Sequence, residues 1–210
     1  MTAVHVLAAL ALVVLGFALW SLAEYLMHRF AMHEAKGRGM ASREHLKHHA
    51  ERDSVLESWY FAWTGVVVVG TGMGFLASRL LGPVGGALGL GWVAAYGTYD
   101  WIHWRAHRRP IANPYERFVR RHHFHHHFGH PMANHGVTTP FWDMVFSTYE
   151  RVDGPVRVPR RLAMVWLTDE HGAVKPEYAG DFELVGSRDL DAAQAAEDRQ
   201  RAFANLAPSV

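Results

Sequence analysis

Three long apolar stretches organise the chain. From Ala3 to Ala23 twenty-one residues carry no charge, from Trp59 to Leu81 the only charge is Arg79, and from Pro83 to Tyr99 seventeen more are uncharged. As helices rising about 1.5 Å per residue, stretches of this length cross the ~30 Å hydrocarbon core of a bilayer. The pattern predicts an all-α protein, an integral-membrane helical bundle with spans over 3–23, 59–81 and 83–103, the last two reversing at Gly82-Pro83. The first stretch reads as a retained span and not a cleaved leader, because its start is uncharged and it runs directly into Glu24-Tyr25-Leu26-Met27-His28. Trp20, Trp59, Trp63, Trp92 and Trp101 fit interfacial tryptophans. Elsewhere the pattern turns polar. Asn113-Pro114 ahead of Tyr115-Glu116-Arg117-Phe118-Val119 predicts a capped helix start with proline in the first position. Residues 152–186, rich in Pro and Gly with alternating apolar positions, predict loops or a short hairpin, and 187–206 a polar, Ala-rich surface helix. Residues 1–150 are thus expected to form a membrane-embedded domain and 151–210 a C-terminal tail.

Composition sharpens this picture. Half of the residues are apolar although the mean hydropathy is −0.08, so the apolar residues are segregated. Twenty-one Lys and Arg against twenty Asp and Glu leave a net charge of +1, which gives no global field to recruit nucleic acid. The basic residues are unevenly spread. Six fall in 24–58 (Arg29, Lys36, Arg38, Arg43, Lys47, Arg52) and ten in 104–161, with none before Ala3 or at 82–83. The positive-inside tendency then predicts a multi-pass protein with its N-terminus outside and both polar segments, including the 151–210 tail, in the cytosol. There is no cysteine, which excludes thiolate metal sites, cysteine-ligated clusters and cysteine nucleophiles.

Histidine carries the chemistry. Of sixteen, fourteen fall within 28–49 and 103–135, and only His5 and His171 stand apart. His45, His48 and His49 form H-x-x-H-H, and His103 and His107 form H-x-x-x-H; on a helix, positions i, i+3 and i+4 share a face, so each group can aim its imidazoles at one point. His28 and His33 are five apart, which on a regular helix separates side chains by about 140°, so the helix is expected to bend, bulge or end there. Arg121-His122-His123-Phe124-His125-His126-His127-Phe128 admits two H-x-x-H-H registers, one starting at His122 and one at His123. Imidazole suits iron, copper, nickel and zinc alike. A structural zinc site closes at four ligands, so this many histidines in four spaced groups points instead to catalytic chemistry, with five nitrogens for each of two ions.

Four segments occur in a fixed order: Glu24-Tyr25-Leu26-Met27-His28-Arg29-Phe30 with His33; His45-Leu46-Lys47-His48-His49; Tyr99-Asp100-Trp101-Ile102-His103 with His107; and Arg120 to Phe128. Gly136-Val137-Thr138-Thr139-Pro140-Phe141-Trp142-Asp143-Met144-Val145-Phe146 follows them. Over about residues 20–150 this series resembles the fatty acid hydroxylase and sterol desaturase superfamily of integral-membrane non-haem di-iron enzymes. Within it, the series is most similar to the fatty acid 2-hydroxylases, which act on ceramide or phospholipid acyl chains.

The resemblance implies a cytosolic helical cap carrying the cluster, with metal ligands at His28, His33, His45, His48, His49, His103, His107, His123, His126 and His127. His122 and His125 then become neighbours, and Asp100 and Asp143 are candidate carboxylates that orient ligand imidazoles by accepting the other ring N–H. It further implies two iron ions, with zinc able to replace them in a purified sample, and dioxygen as co-substrate. Its product would be a hydroxylated membrane lipid, most simply the acyl chain of a fatty acid, ceramide or phospholipid. Many relatives carry a cytochrome b5 domain; without its His-Pro-Gly-Gly segment, this chain is expected to take electrons from a separate cytochrome b5 or ferredoxin-type protein. The membrane would be the inner membrane of a bacterium or the endoplasmic reticulum of a eukaryote. Sterol or carotenoid oxidation and lipid desaturation are alternatives within the superfamily. A membrane metal-binding or transport protein is the alternative of another class, weakened because its histidines sit at span ends instead of within them.

Overall fold

A computed structural model describes residues 2–51 and 59–209; Arg52 and the rest of 52–58, and the Trp59 side chain, lie outside the described residues. In chain order the elements are α1 (Ala3–Leu26), a π-helix (Met27–Glu34), α2 (Met40–Ala50), α3 (Trp59–Leu81), a 3-10 turn (Gly82–Gly85), α4 (Gly86–Arg108), α5 (Pro114–Phe128), α6 (Phe141–Val145), β1 (Val156–Pro159), β2 (Phe182–Val185) and α7 (Ala192–Phe203). Residues 2–24 with 59–101 form one compact unit, and 25–51 with 102–209 form a second.

The first unit is built on close helix contacts. Gly82 adopts a left-handed φ of 72°, Pro83 opens the 3-10 turn, and the third apolar helix therefore starts at Gly86 and not at Pro83. α3 and α4 return on each other antiparallel, with Gly89 against Gly70, Gly86 against Gly74 and Gly97 facing Trp63. α1 runs parallel to α4, its Gly16 against Leu88 and Trp92 and its Val13 against Gly91. These small residues let backbones approach as they do in membrane bundles, where lipid tails leave packing to supply the association. Trp20 is buried within the bundle: its ring meets Trp92 and Tyr96 edge-on at 5.1 and 4.9 Å. The outward faces are apolar, with Leu7, Val14, Val68, Phe75, Leu76, Leu80 and Leu90 all exposed, Leu80 by 84 %. Such a continuous apolar surface suits lipid and not water. The helical stretches Ala3–Glu34 and Tyr60–Arg108, the second containing α3, the turn and α4, are long and apolar enough to cross a membrane.

The second unit has its own core, in which Ala106 and Phe124 pack with Val156, Val158, Trp166, Leu167, Tyr178 and Phe182. Residues 151–209 are thus integrated with α5. β1 and β2 pair in parallel, Val156 opposite Phe182 and Pro159 opposite Val185, so the expected hairpin is instead a crossover that runs through two 3-10 turns. α5 starts as predicted: Asn113 Oδ1 accepts the Glu116 N–H and Pro114 takes the first position. Glu116 then accepts from Arg105 and from the buried Arg120, whose guanidinium also donates to the carbonyls of Arg105, Arg109 and Pro110. That network fixes the C-terminal end of α4 against the start of α5.

A Cβ on Gly89 would collide with the Gly70 carbonyl, whereas one on Gly72 would meet nothing. Gly89→Leu is expected to cost about 1–3 kcal/mol or more by forcing α3 and α4 apart, and Gly72→Leu to be neutral or better. Apparent melting temperatures in detergent should separate the two; equal values would show that α3 and α4 do not depend on this contact.

Candidate metal centre

The sequence sets up each histidine by a different local device. In the π-helix the hydrogen-bond step is i to i+5, as in Ala35 N–H donating to the Phe30 carbonyl, so the five-residue spacing of His28 and His33 falls on one face and their rings lie 5.2 Å apart. A departure from regular helix was expected here, and this is its form. On α2, α4 and α5 the pairs His45/His49, His103/His107 and His123/His127 use the i, i+4 step.

The ten histidines converge into two groups of five, His28, His33, His45, His49 and His126 in the first and His48, His103, His107, His123 and His127 in the second, each with its ligating atoms within 4.8 Å of one another. Neither H-x-x-H-H triplet aims at one point. α2 sends its pair His45/His49 to the first group and His48 to the second, while α5 sends His123/His127 to the second and His126 to the first. The groups adjoin, with the rings of His49 and His127 stacked 4.1 Å apart.

Nε2 atoms of nine of the ten face one another. Separations are 3.0 Å for His28–His45, 2.9 Å for His45–His33, 3.0 Å for His33–His126 and His45–His49, 3.2 Å for His48–His103 and 2.9 Å for His107–His123. Two nitrogens at right angles around a metal with bonds of about 2.0–2.1 Å stand roughly 3 Å apart. The donor set therefore has the size and chemistry of a pair of nitrogen-rich metal sites, and the buried Nε2 of His127 has no hydrogen-bond partner among the described residues.

The far side of three rings is anchored. His28 Nδ1 donates to the His135 carbonyl, His126 Nδ1 to the Ala133 carbonyl at 2.8 Å, and His33 Nδ1 to Asn205 Oδ1 at 3.1 Å. Those bonds select the tautomer that leaves Nε2 a lone pair. Asp143, fully buried, accepts the backbone N–H groups of His135 and Gly136 and the Thr148 hydroxyl, each at 2.8 Å. It thereby shapes the loop whose carbonyls orient His28 and His126, and does not itself accept from either ring. A Cβ on Gly136 would strike Asp143 and Thr139, so this loop requires glycine there. His122 is buried with Nε2 3.5 Å from Asp143, and His125 Nε2 lies 2.9 Å from Glu150, which also holds His130. Asp100 accepts the Trp63 indole N–H at 3.3 Å within the helical unit. Reading the sequence missed Asn205, 172 positions from His33, and the Ala133 and His135 carbonyls, since backbone acceptors leave no mark on residue type.

Burial keeps the imidazoles neutral. Desolvation first and neighbouring imidazoles second push His45, His49, His123, His126 and His127 well below the ordinary 6.5. Burial takes His33 down to about 3 against the opposing effect of the Asn205 hydrogen bond. Asp143 is pushed up by its burial, but the adjacent His122 and His135 rings and the bonds from the Gly136 N–H and the Thr148 hydroxyl outweigh this and hold it ionised.

Below pH 6.5 the unfolded chain binds protons that the folded chain excludes, so metal-free stability is expected to fall as pH drops from 6.5 toward 3. For His33 alone the loss is on the order of 1 kcal/mol one pH unit below its unfolded value. Thermal unfolding in detergent at about pH 7.5, 6.5 and 5.5 measures this; a melting temperature constant over that range would mean that these imidazoles titrate as exposed groups.

A family model described as fatty acid hydroxylase matches residues 13–148. The chain is 30 % identical to fatty acid 2-hydroxylase of Homo sapiens over 144 residues, covering 65 % of this chain and 39 % of that protein. It is 26 % identical over 148 residues to dihydroceramide fatty acyl 2-hydroxylase FAH1 of Arabidopsis thaliana, covering 69 % and 62 %. A solved structure of full-length scs7p, in which only the hydroxylase domain is visible, is similar with a TM-score of 0.55 and 28 % identity, over 72 % of this chain and 59 % of that one. The chain thus spans about two fifths of the length of the mammalian relatives it matches. With the family model matched over well more than half of its residues, the chain belongs to the fatty acid hydroxylase family.

Proposed function

We propose that this chain is an oxygen-dependent hydroxylase that inserts oxygen into an aliphatic C–H bond of a membrane-lipid acyl chain, with His28, His33, His45, His49 and His126 holding one iron and His48, His103, His107, His123 and His127 the other. The observation that carries this reading is the pair of adjoining five-imidazole groups, with nine of the ten rings buried and three anchored from behind. Zinc would occupy the same nitrogens in a sample purified without iron. The names of the relatives, fatty acid 2-hydroxylase and dihydroceramide fatty acyl 2-hydroxylase, support the acyl chain as substrate and its second carbon as the position oxidised.

Bound iron would supply the activation of dioxygen that no side chain provides. The net reaction consumes the C–H bond, dioxygen, two electrons and two protons and yields the alcohol and water. The electrons come from a separate protein of cytochrome b5 or ferredoxin type. The chain's own contribution is position and exclusion of water. The His135 and Ala133 carbonyls and Asn205 hold three rings by Nδ1, and burial keeps the remaining nitrogens unprotonated and dry. Asp143 keeps the Ala133–Gly136 loop in register beneath His28 and His126. The distribution of basic residues supports an N-terminus outside and a histidine cluster facing the cytosol, where lipid enters from the apolar side and a soluble reductant docks from water.

Mass spectrometry of total lipids from cells expressing the chain, from cells expressing His126→Ala and from oxygen-starved cells tests the reading. A lipid that gains one oxygen only with the intact chain and oxygen is expected, with fragmentation placing the hydroxyl at the second carbon. His126→Ala should lower it by more than the roughly 10–100-fold typical of losing an outer partner of a ligand. Loss of two hydrogens would replace hydroxylation with desaturation. An iron-loaded protein that leaves every lipid unchanged in a host with a working reductant would overturn acyl oxidation.

A further inference from the structure

His33 is held differently from the other anchored ligands. His28 and His126 rest on backbone carbonyls of a nearby loop, whereas His33 is gripped twice by one side-chain amide: Asn205 Oδ1 accepts from its Nδ1, and Asn205 Nδ2 donates to its carbonyl at 3.2 Å. Asn205 is buried and left-handed, with φ 58°, just past the end of α7. It lies well beyond residue 148, where the family match ends.

α7 is built to keep that amide in place. Arg161 makes two bonds of 2.7 Å to Asp198 on α7, both side chains buried, and a third to the Ser209 carbonyl. Asp191 caps its start by accepting the Gln194 N–H. Arg199 pairs with Glu51 at the end of α2. The Phe203 ring occupies the space a Cβ on Gly37 would need, so α7 is seated against the turn that follows His33.

We propose that Asn205 is a positioning residue for His33, and that the C-terminal segment through it sets the geometry of the first histidine group. The amide fixes the Nδ1–H tautomer and the ring's rotation, and so delivers the Nε2 lone pair to His45 and His126, 2.9 and 3.0 Å away. This rests on reading the group as metal ligands. The competing role for Asn205 is conformational: asparagine and glycine both end helices in the left-handed region. Asn205→Gly keeps that capacity and removes the amide, which separates the two roles.

The test uses the full chain in detergent, stripped and titrated with cobalt(II) alone. Bound metal is counted by elemental analysis, ligand geometry is read from visible absorption, and folding is checked by circular dichroism. Wild type should take up two ions. Asn205→Gly should stay helical and lose roughly 10–100-fold in affinity for one of them, with a changed absorption band. Asn205→Asp, which keeps the acceptor, should recover most of that affinity, with the band of one ion shifted by the stronger acceptor. A folded Asn205→Gly that binds both ions as wild type does, with an unchanged spectrum, overturns the proposal and leaves Asn205 as a helix stop. Should Asn205→Gly not fold, Asn205→Asp decides alone: a wild-type spectrum overturns the proposal and a shifted one supports it. Wild type that binds no cobalt overturns the metal reading itself, and this inference with it.

Discussion

Lone pairs that face one another in a dry interior repel, and His33 and His126, whose Nδ1 atoms both donate, bring theirs to 3.0 Å, a contact that something positive between them would relieve. Burial removes protons as that something, because desolvation drives these histidines to their neutral form. The rest of the second unit serves this constraint. It explains why a π-helix is tolerated at Met27–Glu34, why Arg120 is buried under carbonyls instead of reaching solvent, and why Asp143 spends its hydrogen bonds on a loop backbone. The π-helix and the Asp143 loop fix the direction of rings whose nitrogens would otherwise turn away from their neighbours, and Arg120 fixes the end of α4 against α5, which carry His103, His107, His123 and His127.

The helical unit solves a different problem with different chemistry. Glycines and aromatic rings, not charges, set the spacing of α1, α3 and α4, and leucine and valine cover their outer faces. Because α1 and α4 run parallel and α3 antiparallel, residue 24 and residue 101 leave this unit at the same end at which residue 59 enters it.

Much of this was legible in the residues. Uncharged runs announced the long helices, Asn113-Pro114 announced the start of α5, and histidine spacing announced His28, His33, His45, His48, His49, His103 and His107, while the register at His123, His126 and His127 came from the family resemblance. What could not be read was anything resting on contact between distant positions or on backbone atoms. The division of each H-x-x-H-H triplet between two groups depends on how α2 and α5 are placed, since i+3 and i+4 differ by about 100° around a helix. The five-residue step from His28 to His33 signalled irregularity but not that a π-helix would bring them into line. The parallel pairing of β1 with β2 was hidden because two short strands and proline-rich connections fit a hairpin pattern equally well.

The exchange of one histidine from each triplet makes the two groups mutually dependent. α2 and α5 each contribute to both, so neither helix can turn to suit one group without disturbing the other. An ion captured by either group would immobilise both helices and leave less ordering for the second to bring about. Were both groups to hold metal, occupancy of the two positions would be linked, drawing the protein toward being empty or full with few half-loaded molecules between.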